Sequence, residues 1–236
     1  MTSSVINALQ LDQKSLKNQF VTIEENNTSD ASFLLSSIID LQIKKKCKIV
    51  FVLFHNTIGH YHAIGQKLGY NLSALQEAKD LIVIDNLKSV TTNIDLKNFY
   101  FDVKNELMKI QSNEICLILE NVSNLLLLDI ELKDVYTFIH YMRTLMYEVK
   151  NLSVVASLHN FSSCKDHNIL LNSLKHTSDL VISVSDLKTG KAIDVSGVFT
   201  VKWKESDFSK WNEQSEYHYQ LLDRNVKVFA PGYKNI

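Results

Sequence analysis

Glycine, proline and arginine are scarce in this 236-residue chain, which holds six glycines, the single proline Pro231, and two arginines, Arg143 and Arg224. So little proline and glycine leaves no stretch that would serve as an interdomain linker. One domain over residues 19–230 is expected, with an N-terminal extension at 1–18 and a C-terminal tail at 231–236. Cysteine is also sparse. Cys47, Cys116 and Cys164 are odd in number and far apart, which argues against a disulfide framework and for a reducing compartment. No apolar run approaches the ~20 residues that a spanning helix needs. The opening MTSSVINALQLDQKS lacks a charged region followed by an apolar one, so neither a membrane span nor a secretion signal is expected. The expected location is the cytoplasm, with the nucleus also open. Charge of one sign is missing too, since the formal net charge is −1. Nucleic-acid binders usually carry a basic excess, so any such contact here has to be local or shared among partners.

What is present is an ordinary globular composition, 45% apolar and 22% charged. Short apolar runs at QFVTI (19–23), KIVFVLF (48–54), LIVID (81–85), ICLILE (115–120) and LSVVASL (152–158) read as strands buried on both faces of a parallel sheet. Helical patterns lie between them at about 31–45, 60–69, 96–110 and 131–149. In the last, Leu132, Val135, Ile139, Met142, Met146 and Val149 recur at spacings of three and four. Lys44, Lys45 and Lys46 close the first of these helices, where cations suit the dipole. After a short helix near 168–175, the runs 179–185, 196–203, 216–223 and 225–230 alternate apolar with polar residues. They read as antiparallel strands on one edge, with turns at Gly190 and Arg224–Asn225. The fold class that fits is α/β, a RecA-like ATPase fold with a mostly parallel central sheet and C-terminal antiparallel hairpins. Doubly wound alternatives fit the pattern as well.

Such a fold holds phosphate on the loop after its first strand, here EENNTSDASFLLSSIID (24–40). In G-x-x-x-x-G-K-[ST] the glycines let backbone N–H groups converge on phosphate, the lysine reaches the terminal phosphates and the hydroxyl holds Mg²⁺. That frame puts Glu25 and Asp30 at the two glycine positions, Ala31 at the lysine and Ser32 at the hydroxyl; no glycine precedes Gly59. A carboxylate about 4 Å from a phosphate costs on the order of 4 kcal/mol at an effective dielectric near 20. Asp30, or Ser29, also suits the N-cap of the following helix, so the chain's own acid takes the place of an anion. The loop is therefore degenerate, no nucleotide or other cofactor is expected, and Ser32 reads as a helix residue rather than a Mg²⁺ ligand.

Glu120 ends the run ICLILE where a metal-binding acid would sit, although apolar runs ending in an acid are common. His55, His60 and His62 cluster without a companion cysteine or acid at ligand spacing, and two residues apart on a helix point to different faces, so no metal site is expected. Ser162-Ser163-Cys164-Lys165 and Lys188-Thr189-Gly190 echo penicillin-binding motifs but lack a companion S-D-N. Trp203, Trp211, Tyr217, Tyr219 and Phe229 on the C-terminal strands suit either a core or a protein interface.

The segments HYHAIGQKLGYNL (60–72), FIHYMR (138–143), ILLNSL (169–174) and DLVISVSDLKTGKAIDVSG (179–197) together resemble the family of sixth subunits of the Elongator complex. The resemblance spans roughly residues 20–230, with a segment between Leu87 and Leu96 that looks shorter than in vertebrate relatives. It implies a RecA-like fold without the usual nucleotide motifs and assembly with subunits 4 and 5 into a ring of six, two copies each. It further implies that the ring binds tRNA, docks on the catalytic core and supports carboxymethyl-type modification of the wobble uridine, whose radical and acetyl-CoA chemistry belongs to another subunit. The chain would then be no enzyme and carry no catalytic residue. Ring-centre loops would be the segment after Glu120 and HNFSSCKDHN (159–168), where Lys165 offers a charge to phosphate and His159 or Phe161 a face for a base. Arg224, in a hairpin turn, is the arginine better placed to reach a neighbouring subunit. Two other readings remain: a nucleotide hydrolase with an unorthodox site around Glu120, and a free-standing protein-interaction adaptor.

Overall fold

The computed structural model describes residues 3–26, 28–85, 95–161, 163–187, 190, 192, 194–204 and 211–232. In chain order the elements are α1 (Ser3–Ala8), β1 (Phe20–Asn26), α2 (Ser32–Lys44), β2 (Lys48–Leu53), α3 (Ile58–Leu68), α4 (Leu72–Glu77), β3 (Leu81–Asp85), α5 (Leu96–Lys109) and β4 (Ile115–Glu120). They continue with α6 (Asn124–Leu127), α7 (Leu132–Glu148), β5 (Leu152–Asn160), α8 (Lys165–Thr177), β6 (Leu180–Ser185), β7 (Gly197–Trp203), β8 (Ser215–Leu222) and β9 (Asn225–Phe229).

The nine strands of the described residues form one sheet in the order β3-β2-β4-β5-β1-β6-β7-β8-β9. The central strands are apolar throughout because each face meets a layer of helices. In β2, Ile49, Phe51 and Leu53 face the core under α2 and α3, while Val50 and Val52 face the core under α5 and α7. Cys116 and Ile118 of β4 face the first core, and Leu117 and Leu119 the second. The strand β7 is covered on one face only, and its burial alternates accordingly along GVFTVKW.

Two features differ from the sequence-based expectation. The run at 179–185 was expected as the first antiparallel strand, but β6 pairs parallel with β1, and antiparallel pairing begins only at β7. Helix α8 is the crossover between β5 and β6, and a crossover of that kind returns the chain parallel. Alternation in β6 reflects its one-sided cover, not its direction.

The N-terminal residues, expected as an extension, pack onto the domain. Val5, Leu9, Leu11 and Leu16 are buried, Ser4 Oγ donates to Val226 O at 2.8 Å, and Trp203 Nε1 donates to Leu9 O at 3.1 Å. The segment extends the cover of this face, joining α2, whose Phe33 meets Phe199 of β7, and packing over β9. The short helices α4 and α6 have too few residues to show a period. Asn71 Oδ1 caps α4 by accepting from Ser73 N and Ala74 N.

Gly197 opens β7 where the sheet is tight. A Cβ there would lie 2.9 Å from Ser185 O and 2.7 Å from Tyr219 Oη. Gly197→Ala is expected to lower stability by about 1–3 kcal/mol through overpacking, read as a reduced urea midpoint.

Candidate functional site

Strands β1 to β6 run parallel, so their carboxyl ends share one edge of the sheet. There β1 leads into α2 on one face while its neighbour β5 leads into α8 on the other. This divergence makes the crevice in which open α/β sheets hold ligands. It gathers Glu24–Asn26 from β1, Glu120 from β4, His159 and Asn160 from β5, and Ser183 from β6.

At the start of α2 the N–H groups that would meet phosphate meet carboxylates. Ala31 N donates to Glu25 Oε1 at 2.9 Å, and Ser32 N donates to Asp30 Oδ1 at 2.7 Å. The helix cap falls on Ala31, whose side chain offers no acceptor, so it lies one residue beyond Asp30 and two beyond Ser29, the caps expected from sequence. Asp30 reaches forward from outside the helix instead. Ser32 is buried, and its Oγ lies 3.1 Å from His60 Nε2. Asp30→Ala is expected to cost about 1 kcal/mol, as loss of a helix-capping acceptor does, read by chemical denaturation.

Glu120 turns inward. It is 1% exposed, and its carboxylate accepts from the backbone N–H groups of Phe54, His55 and Asn56 at 3.2, 2.9 and 3.2 Å. Asn56 Nδ2 donates at 3.0 Å and Tyr61 OH at 3.4 Å. Burial pushes its carboxyl above the ordinary range, while the N–H donors pull it back down by less. The acid at the end of β4 thus fastens the β2–α3 connection, and Asn124 Nδ2, donating to Phe54 O, ties the same connection to α6.

Sequence reasoning missed the cluster around Glu24. This carboxylate is almost fully buried. It lies 2.7 Å from Lys175 Nζ, accepts from Ser183 Oγ at 2.6 Å and accepts from Asn160 Nδ2 at 3.0 Å. These residues come from α8, β6 and β5, far apart in the chain, so only the crossovers bring them together. The one local signal was a second acid beside Glu25.

His159 and Phe161 lie together, ring centroids 4.5 Å apart, with His159 Nδ1 3.5 Å from Glu25 Oε2. Phe161 is exposed and meets the edge of His167. Lys165 opens α8 on the surface. The histidines after β2 diverge: His60 faces Ser32, whereas His62 Nε2 lies 3.0 Å from Gln66 Nε2. Arg143 lies 3.7 Å from Asp179 and over the ring of Phe20. Arg224 stands exposed in the turn between β8 and β9. Ser162, Lys188 and Thr189 of the penicillin-type echoes, and most of the segment between Leu87 and Leu96, lie outside the described residues.

A protein-family model described as Elongation complex protein 6 matches residues 3–98 and 90–223. Elongator complex protein 6 of Rattus norvegicus is 30% identical over 233 residues, 86% of this chain and 87% of the relative. The Homo sapiens protein of that name has the same identity and coverage. The Drosophila melanogaster one is 27% identical over 98% of each chain. Among solved structures, a KaiC-like protein of Pyrococcus horikoshii superposes with a TM-score of 0.66 and 11% identity, covering 90% of both chains. That likeness concerns the fold alone, and the fold is RecA-like.

Proposed function

From its membership of the Elongation complex protein 6 family, to which this chain belongs, we propose that it is a non-catalytic, tRNA-binding subunit of Elongator. In this reading it assembles with subunits 4 and 5 into a RecA-like ring of six, two copies of each. The ring binds tRNA and supports carboxymethyl-type modification of the wobble uridine by the catalytic core. The observation that carries the non-catalytic part is the start of α2, where Glu25 and Asp30 accept the N–H groups a phosphate would need. A nucleotide triphosphate would have to displace both carboxylates and then sit among their charges. The rival hydrolase reading, centred on Glu120, requires an acid free for metal, whereas both Glu120 oxygens already accept hydrogen bonds from the β2–α3 connection.

Support for assembly comes from exposed aromatic side chains on α5 and α7, namely Phe101, Tyr136, Tyr141 and Tyr147. Aromatic area of this kind is what protein interfaces cover. Arg143 is engaged within the fold, and in this reading Arg224, exposed in its turn, is the arginine that reaches a neighbour. The reducing compartment inferred from three far-apart cysteines goes with this role, in the cytoplasm and also the nucleus.

Native mass spectrometry of the chain alone and co-expressed with Elongator subunits 4 and 5, with and without tRNA, tests the reading. A six-membered species that takes up tRNA is expected. A chain that ignores both partners and stays monomeric would overturn it in favour of the free-standing adaptor. Arg224→Ala is expected to leave the stability of the isolated chain within about 0.5 kcal/mol, as exposed sites do, while lowering the fraction of the six-membered species.

A further inference from the structure

The face of β6 and β7 opposite α2 is not covered by any described helix beyond α8. On it lies a recess of about 260 Å³, bounded by Lys175 and His176 at the end of α8, Ser183 of β6, Thr200 and Lys202 of β7, and Trp211. The two tryptophans of the chain part company here. Trp203 is buried in the core, whereas Trp211 stays half-exposed at the recess, held by a bridge to Lys204 and by Asn212 N donating to Trp203 O. Lys202 Nζ lies 5.6 Å and Lys204 Nζ 6.0 Å from the centroid of the Trp211 ring.

We infer that this recess seats one nucleotide unit of single-stranded RNA, with its base against Trp211 and its phosphate at Lys202 and Lys204. The chemistry of the lining favours that ligand. An indole face accepts any base by stacking, two ammonium groups beside it supply the charge for a phosphodiester, and Thr200 adds a hydroxyl for sugar or base edges. The volume falls below the ~300 Å³ at which pockets for drug-sized ligands begin, so a base or a phosphate fits and a whole dinucleotide cofactor does not. Among the described residues the charges around the recess are of both signs. Lys175 is neutralised by Glu24, while Glu216, paired across the sheet with Thr200, and Glu213 next to the strand oppose Lys202 and Lys204. Binding at this point is therefore local and modest, a share of a larger RNA surface. The inference rests on the reading that this chain works on RNA.

The test uses the full chain and fluorescently labelled decauridylate at low salt, followed by anisotropy, with uridine monophosphate and a polyglutamate peptide as competitors. Trp211→Ala is expected to weaken RNA binding about tenfold, within the range for loss of one stacked base. Trp211→Phe restores most of it, and Lys202→Ala lowers the slope of log affinity against log salt by about 1. Far-ultraviolet circular dichroism and the emission of Trp203 report whether the Trp211 variants stay folded. Affinity that is indifferent to Trp211→Ala and Lys202→Ala overturns the site. So does polyglutamate displacing the RNA as well as unlabelled decauridylate does, since the recess would then be a seat for acidic protein. Uridine monophosphate displacing it equally well would replace the strand by a free nucleotide. The same variants in the six-membered complex separate the two levels. A complex that binds tRNA unaffected by them removes this site and leaves the proposed function standing, whereas a native complex that binds no tRNA removes both.

Discussion

Glu120→Ala is expected to cost about 3–5 kcal/mol of stability, because it strips a buried acceptor from several donors at once. The three backbone N–H groups of Phe54, His55 and Asn56 would be left facing a void inside the fold. Each unpartnered buried group costs about 1–3 kcal/mol, less where water or a shifted loop can reach it. In a chain of this length a loss of that size lowers the unfolding temperature by about 10 °C. Glu120→Gln keeps one carbonyl oxygen and is expected to cost clearly less. Its cost also depends on pH. The folded-state value of Glu120 is raised above 4.5 by burial, so between 4.5 and that raised value the folded chain keeps a proton that the unfolded chain has released. The stability this confers is fully present below 4.5 and is lost as pH rises through the folded value. The penalty of Glu120→Gln is therefore larger below 4.5 than at neutral pH. Urea titrations of the native chain and both variants at the two pH values check this. A Glu120→Ala chain as stable as the native one would mean that the acid is not the fastener of the β2–α3 connection, and would reopen a catalytic role for it.

Lys175→Met should be nearly as costly. Glu24 would keep Ser183 and Asn160 but lose the Lys175 ammonium at 2.7 Å. Breaking a buried ion pair costs about 3–5 kcal/mol. The Lys175 side chain is 35% exposed, and water at that opening screens part of the loss, which brings the expectation to about 2–3 kcal/mol. The matched pair Glu24→Gln with Lys175→Met removes both charges and is expected to recover most of the loss. The coupling in the double-mutant cycle should exceed about 1 kcal/mol. Additive losses would show that Lys175 acts only through the packing of its stem. Because Lys175 has this structural duty, it is a poor probe of the recess it borders; Trp211 and Lys202 are the clean ones.

Much of the architecture is legible in the residue pattern, for a physical reason. A strand buried on both faces has to be apolar throughout, so KIVFVLF and ICLILE mark β2 and β4 to within a residue. The amphipathic period that Leu132, Val135 and Ile139 begin marks α7 in the same way. Direction is not encoded like this. The alternation of β6 shows that one face is open, and only the α8 crossover makes it parallel to β1. The cover that α1 gives to β7 and β9 is equally silent in sequence, because short apolar segments gain their value only from the surface they meet.

The candidate site divides along the same line. Sequence by itself determined that the loop after β1 carries acids where glycine and lysine would be, since that depends only on which side chains the loop has. The RecA-like arrangement of apolar runs followed from burial, which leaves its mark residue by residue. Only the tertiary structure decided which donors those acids meet. Glu25 and Asp30 turn to the start of α2, Glu120 to a loop 64 residues away in the chain and Glu24 to a lysine on α8. Hydrogen bonds and ion pairs act over a few ångströms in space, and the sheet order that sets those distances is a property of the whole fold.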